Sequence, residues 1–225
     1  MTDLLLLLLW MLATYLIGAI PFGYIVGKWH QLDIRNYGSH NIGASNVARV
    51  IGKYWGIAVF CLDFLKGYIP AHLTAYYWLY RSDLTPLLQY LSITCLFLPI
   101  VGHLYSVFLK FKGGKAVATA AGLLAMLSIF TFLTTLFIFI LVFYKFRIVS
   151  IASLSAALVM PLVFLASTLP SFTSVLAPFH LTNTPLVRVF PSTFLLSLSI
   201  LSLIVIIRHK SNIKRLWQKT EPPLK

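Results

Sequence analysis

Three lysines, Lys110, Lys112 and Lys115, stand around the pair Gly113–Gly114 in the run GHLYSVFLKFKGGKAVAT, with apolar sequence on both sides. Cations so closely spaced between apolar segments are costly unless an anion meets them, and glycine lets main-chain amides approach a ligand closely. A short helix expected from about Ala116 would turn its positive dipole end to the same place. The chemistry on offer is the binding of a phosphate-like anion. It is not a nucleotide fingerprint, because Leu109 holds the first-glycine position of a GxxxxGK[ST] loop and Ala116 the Ser/Thr position.

Two further patches carry polar groups of the same kind. In SHNIGASNVAR, Asn41, Gly43 and Asn46 favour turns in which successive N–H groups face an anion, and Arg49 follows with a guanidinium suited to a bidentate phosphate contact. The same residues also fit a solvated loop with a helix cap at Ser45 or Asn46. In RHKSN, His209 and Asn212 are three apart and share a helix face, and an imidazole there can donate a hydrogen bond or exchange a proton near neutral pH. An interfacial histidine on a solvated basic helix would read alike. Neither a GxSxG elbow, an HExxH zinc pair nor an HxxxxD pattern occurs, and the acids near these patches are Asp33 and Glu221. With so few carboxylates, catalysis would have to come from positioning and positive charge.

The elements that hold these patches are written in the composition. Of 225 residues, 59% are hydrophobic and 10% charged, where a soluble domain carries roughly a quarter charged. Apolar runs at residues 4–26, 54–80, 87–108, 148–169 and 193–207 approach the roughly 20 residues a helix needs to cross a bilayer. Lys28 is the first lysine, so the opening run reads as an uncleaved span. Residues 170–191 read as a mildly polar connector. Asp63 and Lys66, three apart inside an apolar run, read as a structural ion pair. Cys61 and Cys95 read as packing residues rather than a disulfide or metal framework.

Residues 116–144 make one apolar stretch of about 44 Å as a helix, too long for an ordinary span, and both flanks are basic. Two short half-helices, residues 117–127 and 129–144 joined near Ser128, go in and come back; such backbone needs protein around it or a cavity beside it. Four Lys/Arg lie in residues 28–53, three in 110–115, two in 145–147 and six in the tail, leaving Arg81 and Arg188 for the other side and Lys66 within a span. The positive-inside rule then gives an all-α polytopic membrane protein with seven helical segments, five spanning and two half-helices, its N-terminus outside and C-terminus cytoplasmic. One domain over residues 1–225 is expected, with membrane lipids rather than nucleic acid as the partner of its +13 charge. An anion transporter or a lipid-binding scaffold shares part of this pattern. No inverted repeat supports the first, and the Asn/Ser/Gly turns have no use in the second.

Taken together, SHNIGASNVARVIGK, GHLYSVFLKFKGGKAVAT and RHKSNIKRL with KTE beyond it resemble the bacterial acyl-phosphate:glycerol-3-phosphate acyltransferases (PlsY family). Nearly the whole chain takes part, the three motifs in order, with RIVS at residues 147–150 between the second and third. The resemblance implies transfer of an acyl group from acyl phosphate to the 1-hydroxyl of glycerol 3-phosphate, giving lysophosphatidic acid and phosphate in phospholipid biosynthesis. It implies catalytic roles for Ser39, Arg49, Lys112, Ser150, His209 and Asn212. Asn41, Gly43, Asn46, Lys110, Gly113, Gly114 and Lys115 fall in its phosphate-binding motifs. It implies no metal or cofactor, a bacterial inner-membrane location with the site facing the cytoplasm, and a functional link to a soluble acyl-phosphate synthase. The chain departs from the family's usual residues at His40, Ser45, Ala116 and Lys219.

Overall fold

The computed structural model describes residues 2–81, 83–177 and 183–224. Every regular element among them is helical: α1 (Thr2–Ala19), α2 (Phe22–Trp29), α3 (Ala44–Val50), α4 (Lys53–Thr74), α5 (Pro86–Leu104), α6 (Val117–Leu127), α7 (Ile129–Phe146), α8 (Val149–Thr168), α9 (Pro170–Leu176), α10 (Pro185–Val189), α11 (Pro191–Arg208) and α12 (Lys210–Trp217). Among the described residues six stretches are long and apolar enough to cross a membrane, those containing α1, α4, α5, α7, α8 and α11.

Local chemistry sets the boundaries. The expected run 4–26 is two helices, because Pro21 has no N–H to continue the ladder and α2 restarts at Phe22. Thr85 caps α5, accepting from the Leu88 N–H, and Pro86 sits in the first turn, where a missing donor costs nothing. Ser128 separates α6 from α7 and caps α7, its Oγ accepting from Thr131 N–H. The expected joint is therefore at the observed place, but α7 runs on to Phe146 and at 18 residues has the length of a span. Of these two helices α6, 11 residues or about 16 Å long, is the short one. The connector expected at 170–191 carries α9 and α10, with residues 178–182 outside the described part.

The chain forms two compact units, Met1–Leu123 and Leu124–Lys225. In the first, α1 and α5 cross closely. A side chain at Gly18 would strike the Pro99 backbone and one at Gly102 the Tyr15 carbonyl, so small residues set the approach. One core of this unit (Val26, Ile34, Ile42, Val47, Val59 and Leu109) lies under the polar segment. A second (Leu7, Trp78, Leu84 and Cys95) gathers elsewhere in it. Cys95 packs as expected; Cys61 does not, being exposed on α4. In the second unit α8 packs on α7 and α11, and Ser202 Oγ donates to the Ala157 carbonyl between α11 and α8.

Candidate active site

In the first unit a single amide shapes the polar loop. Asn46, fully buried at the start of α3, donates from Nδ2 to the carbonyls of Ile34 (3.0 Å), Tyr37 (3.1 Å) and Asn41 (2.8 Å). Its Oδ1 accepts from the Ser39 N–H at 2.7 Å. Gly38 takes φ +60, and a side chain there would collide with this oxygen. Asn41 closes the next turn by accepting from Gly43 N–H at 2.8 Å. The side chains of Asn41 and Asn46, read from sequence as phosphate contacts, are thus engaged in building the loop. Gly43 is the N-cap of α3 without a side-chain cap, so neither Ser45 nor Asn46 caps it. The result is a fixed main chain at Ser39, with Arg49 one turn into α3, half-buried and with Nε and Nη1 shielded from solvent.

Asp33 braces the entrance to this loop. Its carboxylate caps the turn Ile34–Asn36 and pairs with Arg35 at 2.6 Å, and that hydrogen-bonded guanidinium holds its pKa down to about 2.

The lysine turn is built differently from its expectation. Gly113 and Gly114 do not present their amides outward: Gly113 N–H donates to Leu104 O (3.2 Å) and Gly114 N–H to His103 O (3.0 Å). The last carbonyls of a helix lack intrahelical donors, and the glycine pair supplies them for α5. A side chain at either glycine would strike His103 or Leu104, so the pair is there for close backbone approach. Ser106 ties the turn down, accepting on its carbonyl from Leu109 N–H and Phe111 N–H and donating from Oγ to Ala19 O at 2.6 Å. Lys110 and Phe111 take positive φ (52 and 62), and Lys110 and Lys112 are exposed while Lys115 is half-buried. The turn therefore offers an anion the exposed ammonium groups of Lys110 and Lys112.

In the second unit the polar groups converge on a residue sequence reasoning passed over as a site. The chain after α12 doubles back, with Lys219 at φ +56, Thr220 N–H donating to Arg215 O and Leu224 N–H to Arg147 O. This brings Glu221 between three donors. Ser150 Oγ (2.8 Å) and Asn212 Nδ2 (2.6 Å) donate to Oε1, and Arg215 Nε (2.6 Å) to Oε2. Burial pushes the Glu221 carboxyl up, but the hydrogen bonds from Asn212, Ser150 and Arg215 and the Arg215 charge outweigh it, and its pKa lies below the ordinary value. Two of the expected catalytic residues, Ser150 and Asn212, are thus oriented by a carboxylate. Its one visible signal in the sequence is its place as the sole acid in a tail of six cations.

His209 sits at the joint of α11 and α12, buried, with Nδ1 2.7 Å from the Val205 carbonyl. A carbonyl only accepts, so Nδ1 carries the hydrogen there, and in the neutral ring Nε2 is the acceptor nitrogen. All five carboxylates of the chain are in ion pairs: Asp3 and Asp83 with Arg81, Asp33 with Arg35, Asp63 with Lys66 and Glu221 with Arg215.

The chain is similar to known proteins over nearly its whole length. The family model described as glycerol-3-phosphate acyltransferase matches residues 8–219. A glycerol-3-phosphate acyltransferase of Synechocystis sp. is 39% identical, covering 99% of this chain and 93% of its own. One of Geobacillus kaustophilus is 37% identical, covering 100% and 97%. The crystal structure of PlsY, an integral membrane glycerol 3-phosphate acyltransferase, in its glycerol 3-phosphate form superposes with a TM-score of 0.75 at 32% identity, covering 97% of this chain and 96% of that one. Its lysophosphatidic acid form gives 0.72 at 32% identity.

Proposed function

Because this chain belongs to the glycerol-3-phosphate acyltransferase family of multi-pass membrane proteins, PlsY among them, we propose that it moves an acyl group from acyl phosphate to the 1-hydroxyl of glycerol 3-phosphate. The products are lysophosphatidic acid and inorganic phosphate. The observation that carries this reading is the length of the match, which takes in residues 8–219 and all three polar motifs; it also supports one acyltransferase domain over residues 1–225.

Both substrates carry phosphate, which suits a chain of +13 net charge. In the reaction the 1-hydroxyl oxygen attacks the acyl carbonyl carbon, the bond from that carbon to the phosphate oxygen breaks, and phosphate leaves. We assign Arg49 and Lys112 to the charge that builds on the leaving phosphate. Ser39, on its fixed main chain, Ser150 and Asn212, oriented through Glu221, and His209 are assigned to holding substrate oxygens. The pairing of all five carboxylates supports a reaction without a carboxylate base, in which the hydroxyl proton passes to a phosphate oxygen. Such a reaction has no step for a metal or coenzyme.

The distribution of Lys and Arg supports a site at the cytoplasmic face of a bacterial inner membrane, with the N-terminus outside. There a soluble acyl-phosphate synthase can feed it and membrane lipid can take its product. Purified protein in detergent, given palmitoyl phosphate and glycerol 3-phosphate, should release lysophosphatidic acid and phosphate one to one. Arg49→Ala and Lys112→Ala should each lower turnover by about a hundredfold or more. Near-normal turnover in both would overturn the assignment.

A further inference from the structure

Asp63, Lys66, His103 and Thr119 are buried together inside the first unit, each 5% exposed or less. Lys66 Nζ lies 2.7 Å from Asp63 Oδ1 and donates at 2.7 Å to the carbonyl of Ile20, at the break between α1 and α2. His103 Nδ1 is 3.3 Å from Thr119 Oγ1 on α6 and 3.7 Å from Asp63 Oδ1 on α4. The other edge of the ring, at Nε2, lies where a side chain on Gly114 would collide with it, and the His103 carbonyl accepts the Gly114 N–H. One imidazole therefore touches α4, α6 and the turn that carries Lys112 and Lys115. The ion pair beside it reaches the break from which α2 leads into the polar segment. Buried charge contributes little net stability compared with apolar packing, and its best attested use is to fix one register among several.

We propose that His103 is a positioning residue of the acyl-transfer reaction: its ring, braced by Asp63 and Thr119, sets the height of the Gly113–Gly114 segment and so the place of Lys115, the next residue, relative to the loop that bears Ser39 and Arg49. This rests on the acyl-transfer reading above. A displaced phosphate-binding turn raises KM, whereas a loss of folded enzyme lowers kcat at constant KM.

The test is steady-state kinetics of the full-length protein in detergent with palmitoyl phosphate and glycerol 3-phosphate, alongside thermal melting. His103→Ala should raise KM for glycerol 3-phosphate about tenfold with kcat within about threefold of the parent. Thr119→Val, which keeps the shape of the side chain, should raise it about threefold, and His103→Asn, which keeps a polar atom near Nδ1, should fall between. Gly114→Ala should raise KM as well, and His103→Ala with Gly114→Ala should do less than the product of the two, because the smaller residue at 103 leaves room for the new methyl group. Unchanged KM in folded His103→Ala and Thr119→Val, or a fall in kcat alone, would overturn the proposal. If His103→Ala does not fold, an unmoved KM in Thr119→Val overturns it by itself. A parent protein that makes no lysophosphatidic acid would overturn the acyl-transfer reading, and the role of His103 with it.

Discussion

Asp63 and Glu221 are both buried carboxylates, one in the middle of a span and one beyond the last, and they recruit their partners differently. Asp63 has its cation on its own helix, one turn away. In hydrocarbon an unneutralised charge is too costly to wait for a distant partner, so the compensating ammonium is carried at i+3 on the same rigid element. Glu221, in a tail that water can reach during folding, collects Ser150 from 71 residues away, Asn212 from 9 and Arg215 from 6. The first arrangement makes a span tolerable, and the second gathers side chains from distant parts of the chain and fixes their orientation.

The largest test of this contrast is Asp63→Ala. Leaving Lys66 buried without its counter-charge should cost about 3–5 kcal/mol, read as a drop in melting temperature in detergent. Replacing both as Asp63→Leu with Lys66→Met should recover most of that loss. A single variant as stable as the parent would show that the pair is not what neutralises Lys66.

Glu221→Gln keeps the acceptor for Ser150 and Asn212 but removes the negative charge that pairs with Arg215, and should cost about 2 kcal/mol. The same residue has a pH signature. Its folded-state pKa is lowered from an ordinary value of 4.5, so its contribution is complete above that value and is lost as pH falls through the lowered one. Melting temperature measured from neutral pH downward should therefore fall below about pH 4.5 in the parent and fall less in Glu221→Gln. Equal slopes would remove Glu221 from the centre of the cluster.

Ser150→Ala removes one of three donors and should cost about 1 kcal/mol of stability while lowering turnover by more than that loss accounts for; turnover in proportion to the folded fraction would mean that Ser150 only braces the tail. Asp33→Asn, at a half-buried pair with Arg35 where the new amide oxygen can keep the cap of the Ile34–Asn36 turn, is the smallest case at under about 1 kcal/mol. A larger cost would show that surface pairing matters more in this loop than the span and tail predict.

How legible each part was follows from the distance over which its cause acts. The joint at Ser128 could be read in advance because 29 apolar residues between basic flanks exceed a bilayer. The end of α7 could not, since Lys145 continues a helix as readily as it ends one. The glycine pair stood out in the sequence for close approach, and glycine allows close approach to anything; in the fold its N–H groups meet the end of α5. Asn46 was noticed for its type, but only the folded loop shows that its amide is engaged with four main-chain groups of that loop.

Composition and charge spacing, which act locally and add along the chain, determined by themselves that this protein lives in a membrane. The ion pair on α4 was legible by the same route, as was the polar character of the three motifs. The tertiary structure alone decided which polar groups face one another. It turned the tail back to set Glu221 against Ser150 and Asn212, and it laid His103 against the lysine turn. Those contacts join residues far apart in the chain, and their geometry depends on how helices cross and loops close, which no local pattern encodes.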